Sequence, residues 1–403
     1  MKGLNTWTVR RRCIETFVTK RLLVVGGTAA AAVIVSASSC RLTDAFVGPA
    51  GANGFGLRWF TALADSNDWI GFPAVTGRAV VIAKRGGLAA LDTATGAVLW
   101  QTRVTRRPDE RMLPGNIIVH GNLVCAIDKH GSACLNSATG GVVWSASADS
   151  ATDAGSASAD NSAIYYGTRN HRIVSVSLAD GSSRWSTDVA PAAPFATRVF
   201  GTAVRGDTVY ATTVRWLNWN GFPVAGDLIA LDARNGRVLW SYTPAPGDTS
   251  GFQTPPVLTG NLAIVSDVYY HGIRAINLRS HTEVWRTPKD ASGYIGSETA
   301  PAVVGDTVFA GSTDTHVFAL DRITGAERWR VIAGGGSFMS IALCNNYVIA
   351  QTLGDPRAVD RATHVSLRGR LLDSGDFLQS GVTAAGNTAY ALGQHGVYAM
   401  SCR

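Results

Sequence analysis

The sequence predicts an all-β fold, an eight-bladed β-propeller of four-stranded antiparallel blades in which an N-terminal strand completes the last blade. Three observations predict it: a residue frame that recurs along the chain, six tryptophans spaced by about one blade, and a further tryptophan-bearing strand ahead of the first repeat.

The frame is Ala-x-Asp-x-x-x-Gly-x-x-x-Trp. It first runs from Ala90 through Asp92 and Gly96 to Trp100, and returns as Ala230, Asp232, Gly236, Trp240 and as Ala319, Asp321, Gly325, Trp329. A looser copy has Cys134, Asn136, Gly140 and Trp144. Two worn copies keep Ser177, Gly181, Trp185 and Asn277, His281, Trp285. A strand ends at the Asp or Asn, whose side chain bonds turn amides. Glycine then takes the positive φ that other residues resist. The next strand carries Trp, a large surface for the gap between blades, and the small Ala leaves room for a neighbour's ring.

Upstream of each frame lies another strand with its own turn, at Gly121-Asn122, Gly206-Asp207, Gly260-Asn261, Gly305-Asp306 and Gly386-Asn387. Each unit therefore has four strands, a to d, with Trp on d. The six tryptophans fall 44, 41, 55, 45 and 44 residues apart. A seventh hairpin spans 346–360, with a degraded d strand around 365–372, and an eighth spans 387–401 and lacks a d strand. Trp59, 41 residues before Trp100, supplies that strand and closes the ring.

Of the formal net charge of +7, residues 1–40 hold five units, six basic residues against Glu15. The body retains only +2, which excludes a basic nucleic-acid footprint. Residues 1–39 read as an export signal: a basic region ending Lys20-Arg21, an apolar run 22–35, then Ser36-Ala37-Ser38-Ser39-Cys40. Small residues before a cysteine are what lipidation needs, so Cys40 is the expected lipid acceptor and 40–54 a lipidated linker, with the propeller over 55–403. Position 37 departs from the usual lipobox by carrying Ala in place of Leu. An uncleaved membrane anchor and simple signal cleavage are the other readings of the same run. All three place the body outside the cytoplasm, with the lipid anchoring it at the extracytoplasmic face of the cell membrane.

Four cysteines remain in the body, an even number suited to two disulfides in an exported protein. Cys125 and Cys134 lie symmetrically about a b–c turn and can face each other. Cys344 ends strand a of blade seven and Cys402 ends strand c of blade eight, so a bond could pin the C-terminus. Buried thiols are the alternative for both pairs.

The frame resembles the pyrroloquinoline-quinone (PQQ) propeller repeat, over residues 55–402. The resemblance implies one of two kinds of protein. Quinoprotein dehydrogenases hold PQQ between a tryptophan floor and a disulfide of adjacent cysteines, with a metal ion on carboxylate and amide side chains. Non-enzymatic members, such as the outer-membrane-protein assembly lipoprotein, use the propeller as a docking surface. This chain has no adjacent cysteines and no local acidic loop of the EF-hand kind. The expectation is a non-enzyme without cofactor or metal; PQQ-dependent oxidation, or small-ligand binding in the central funnel, is the alternative.

No Gly-x-Ser-x-Gly, His-Glu-x-x-His or phosphate-loop motif occurs. Five histidines (His130, His171, His271, His316, His395) fall at b–c turns of different blades, too far apart to share a metal. The longest tryptophan interval marks an insertion in the b–c loop of blade four, with Trp216, Trp219 and Phe222 outside the frame. Together with Tyr269 and Tyr270 these are the candidate contacts for an envelope protein or a glycan. The insertion could equally fold back and bury its rings.

Overall fold

A computed structural model describes residues 55–62, 72–84, 86–104, 117–128, 131–147, 156–168, 170–190, 196–216, 223–245, 248, 251–267, 272–287, 300–312, 315–333, 340–351, 356–368, 378–393 and 395–403. The signal, Cys40 and the linker lie outside them.

Eight antiparallel sheets follow one another, each with strands a to d from the axis outward, in chain order in the first seven blades. Blade one comprises Ala74–Thr76, Ala79–Lys84, Gly87–Asp92 and Val98–Arg103. Blade eight takes its first three strands from Leu378–Ala385, Thr388–Gly393 and Gly396–Cys402, and its fourth from Phe55–Ala62. The register runs from Phe55 opposite Cys402 to Ala62 opposite Gly396. The ring therefore closes with the predicted strand, and Trp59 sits at its outer edge.

The core is divided. Eight clusters of buried apolar side chains each fill one gap between adjacent blades. Apolar side chains alternate along each strand towards the blade before and the blade after, so strands such as Gly87–Asp92 are buried along their whole length.

The tryptophan couples neighbouring blades through the next blade's turn. The indole N–H of Trp59 donates to the Thr93 carbonyl of blade one at 3.0 Å, and that of Trp100 to Ser137 of blade two at 3.0 Å. Trp144, Trp185 and Trp285 repeat the bond to Leu178, Ala233 and Arg322. Each ring lies on the turn glycine of that next blade: a Cβ on Gly96, Gly140, Gly181, Gly236 or Gly325 would stand 2.4–2.6 Å from it. The small residue of the frame faces the tryptophan of its own blade, Ala90 opposite Trp100 and Ala230 opposite Trp240. It makes room for its own ring, where sequence had suggested a neighbour's. The frame aspartates cap their turns as expected, Asp92 accepting from the Ala94 and Thr95 amides at 3.0 Å each. Those amides, with Arg78 and Thr95, hold the Asp92 carboxyl below its ordinary range.

Blade seven keeps a d strand only at Ser366–Arg368 among the described residues, with Leu367 opposite Ala358 in the place of the tryptophan.

Both disulfides are formed. Cys125 and Cys134 face each other on strands b and c of blade two, Cα atoms 4.0 Å apart. Cys344 joins Cys402 across blades seven and eight, Cα atoms 5.9 Å apart, and so ties the closing blade to its neighbour. Replacing both Cys125 and Cys134 with Ala should lower stability by about 2.5 kcal/mol, the loop-closure value for so short a span. The shift in urea midpoint against the parent protein measures it; an unchanged midpoint refutes it.

A candidate docking face around blade four

The strand order puts the b–c turns and d–a crossings on one face of the ring, here the crossing face. The a–b and c–d turns occupy the opposite, hairpin face. Blade four departs from its neighbours on the crossing face. Its strands a and b run over Ala196–Arg205 and Thr208–Trp216, ten and nine residues, against three to six for the a and b strands of blade one. The run Thr208-Val209-Tyr210-Ala211-Thr212-Thr213-Val214 is β-branched and aromatic, suited to a long strand. Strand b pairs with strand c only between Thr208 and Thr212, so Thr213–Trp216 projects beyond the blade. Pro223–Ala225 pairs with the projection and brings the chain back.

Polar bonds brace this hairpin on both sides. Towards blade three, the Ser156 amide donates to the Phe200 carbonyl at 3.0 Å and the Thr202 amide to the Ser156 carbonyl at 2.8 Å. Towards blade five, Thr212 Oγ1 donates to the Thr254 carbonyl at 2.7 Å, and the Phe252 amide to the Thr213 carbonyl at 3.3 Å. Phe252 is fully buried, and Gly226 has no room for a side chain because Phe252 N and Thr213 O stand 2.8 and 2.6 Å from its Cβ position.

At the root of the projection the Asp227 carboxylate accepts from Arg215 Nη2 at 2.8 Å and Thr243 Oγ1 at 2.6 Å. These three residues, with Val189, Ala190, Ile229, Val238 and Ser241, line an open depression of about 300 Å³ between blades three and four. On its blade-three side His171 holds a left-handed φ of 51° and pairs Nδ1 with Asp188 at 2.8 Å. The depression thus combines four apolar side chains with two hydroxyls and charged groups of both signs.

Trp216 is 9% exposed, its ring 6.0 Å from Phe200, so it anchors the hairpin. Arg198 lies over the other ring at 4.8 Å from its centroid. Trp219, Phe222, Tyr269 and Tyr270 lie outside the described residues. Sequence reasoning passed over Arg215 and Asp227, which flank the insertion; two opposite charges bracketing a loop were the available signal.

A second polar cluster, also unforeseen, lies between blades four and five. Arg274 is fully buried and pairs with Asp248 at 2.8 Å and Glu283 at 3.0 Å. Arg286 reaches the same two carboxylates, and the Tyr242 hydroxyl donates to Glu283 at 2.6 Å. Burial, then the bond to Glu283, pushes the Tyr242 hydroxyl up to about 12. Arg274 occupies the strand c position that is Ala89 in blade one and Ile229 in blade four, so a charge in an apolar position was its sequence signal.

Among the described residues, the features by which quinoprotein dehydrogenases hold their cofactor are not present. The four described cysteines are committed to two disulfides between residues that are not adjacent in sequence. Among the described residues no three His, Cys, Asp or Glu side chains come together as metal ligands.

The repeat, the closure and the blade count define an eight-bladed propeller of PQQ-type repeats. Within that class, residues 69–187 and 185–337 match the family described as outer membrane protein assembly factor BamB, and the chain belongs to that family. No curated protein matches it. Among solved structures, BamB from Moraxella catarrhalis superposes with a TM-score of 0.63 at 16% identity, over 86% of this chain and 97% of that one. Two dehydrogenases share the fold. Quinohemoprotein alcohol dehydrogenase from Comamonas testosteroni has a TM-score of 0.67 at 13% identity, over 88% of this chain and 77% of its own. A europium-containing methanol dehydrogenase has 0.64 at 12% identity, over 84% of each chain. At these identities the likeness establishes the fold alone.

Proposed function

We propose that the chain is an exported, lipid-tethered scaffold that holds an envelope protein on its crossing face, at the blade-four hairpin. The observation that carries this is the hairpin itself. The described strands of the projection are braced to both neighbouring blades, with an open depression at their root, and such preorganisation lowers the cost of binding. The BamB family description adds an envelope setting. The export signal and Cys40 supply the route and the tether, and a body of charge near +2 gives no footing for nucleic acid. A glycan is the other occupant the depression's hydroxyls and charged groups would suit.

The test leaves Trp216 in place, because it packs the hairpin. With Trp219 and Phe222 both replaced by Ala, in-cell crosslinking should lose its protein adducts while the melting temperature stays within a degree or two of the parent. Adducts of undiminished yield would remove the blade-four hairpin as the docking site.

A further inference from the structure

The described chain starts at Phe55, which pairs with Cys402 at the hairpin face; the Cys402 amide itself bonds the Asn387 carbonyl of the a–b turn. Whatever precedes Phe55 therefore joins the propeller at this face. The same face carries apolar side chains that the ring leaves uncovered. Val98 and Leu99 of blade one and Val142 and Val143 of blade two begin d strands beside their c–d turns and are 40–52% exposed. Ile323 lies in the c–d turn of blade six and is 54% exposed. Blades four, five and seven repeat the feature at the same place. On the crossing face, the large apolar side chains exposed among the described residues are Phe72 and Ile332.

Scattered exposed apolar groups are ordinary, but among the described residues these recur at or beside the c–d turn in six of the eight blades. Arg78 and Arg234 stand on the same face with side chains 80% and 70% exposed, each partnered by a carboxylate that is itself buried. Apolar groups beside exposed guanidinium groups suit a headgroup layer, where the first enter the acyl boundary and the second meet phosphate. Fourteen residues separate Cys40 from Phe55, a reach of at most about 50 Å when extended.

We infer that the hairpin face rests on the lipid bilayer, its apolar rim at headgroup depth, and that the crossing face is turned away from the membrane. This rests on the reading of Cys40 as lipidated. It gives the two faces separate tasks, one to seat the propeller and one to present the blade-four hairpin.

The test places the photocrosslinker benzoylphenylalanine at Ile323 or at Ile332, opposite ends of one blade and both exposed. The purified full chain is reconstituted with vesicles of phosphatidylethanolamine and phosphatidylglycerol, irradiated, and scored for lipid adducts by mass spectrometry. Adducts at 323 well above those at 332 are expected. Equal yields, or none at 323, overturn the orientation. Flotation of a Cys40→Ser variant judges the tether separately: lost flotation upholds lipidation, and retained flotation removes it. In the latter case the 323/332 contrast, read on the floating variant, still decides the orientation. A parent chain that neither floats nor forms adducts overturns both.

Discussion

Gly236→Ala should lower the stability of the propeller by about 4 kcal/mol, and Gly206→Ala, at a glycine that also holds a left-handed φ, by about 1 kcal/mol. Both glycines hold left-handed φ values, 72° and 55°, so each alanine meets the same backbone penalty. They differ in what the new Cβ would touch. At Gly206 nothing lies within 4 Å, whereas at Gly236 the Cβ would stand 2.5 Å from the Trp185 ring and from Thr187 Oγ1. That ring is held by its N–H on Ala233 at 2.9 Å, and Thr187 by its bond to the Gly236 carbonyl at 2.7 Å. Neither can yield without losing a bond that joins blades three and four. Urea midpoints of the two variants give the comparison directly. Equal losses would mean that the turn glycine serves backbone geometry alone.

The chain has already made a related substitution twice. The turn glycine is replaced by His281 in blade five and His364 in blade seven, both left-handed at φ 61°. The preceding tryptophans respond: Trp240 stacks on His281 with centroids 4.3 Å apart, and Trp329 meets His364 at 4.7 Å. Both are more exposed than the other frame tryptophans. An imidazole face thus takes the place of the bare glycine as the ring's neighbour.

This shows what the sequence could and could not disclose. Blade number, strand count and closure were legible because the frame repeats and because Trp59 has no other use. The demand for glycine was legible as a φ requirement, through Asp92 and Gly96. Its second cause was not, since the ring that fills the space belongs to the preceding blade, 37 residues upstream for Gly96. The blade-four hairpin was legible only as an oversized interval. Trp216 drew attention as an aromatic outside the frame, yet it is buried against Phe200, while the groups that shape the depression, Arg215, Asp227 and Thr243, become neighbours only once the hairpin folds.

Arg274→Met is expected to cost about 3–5 kcal/mol at neutral pH, although methionine fills much of the same space. The guanidinium is fully buried, and removing it leaves Asp248 and Glu283, only 11% and 18% exposed, with Arg286 as their remaining charged partner in the cluster. An uncompensated carboxylate in that setting costs more than the pair contributed. The pH dependence separates charge from packing. Burial raises the Glu283 carboxyl, but Tyr242, Arg286 and Arg274 together hold it below the ordinary glutamate range. In the parent, then, the unfolded chain takes up this proton first as pH falls. Glu283 contributes stability above the unfolded value of about 4.3, and loses it as pH falls through the lower folded value. Without Arg274 the folded value rises, and protonation relieves the stranded charge instead of breaking a bond. The gap between parent and variant should therefore narrow as pH is lowered from about 7 towards about 4. Denaturant unfolding across that range reads the gap, and a constant one would assign the loss to packing around Met. A mere side-chain size effect has no reason to titrate, so the slope identifies the Asp248–Arg274–Glu283 bonds as an electrostatic tie that holds the crossing from blade four, through Asp248, against strands c and d of blade five.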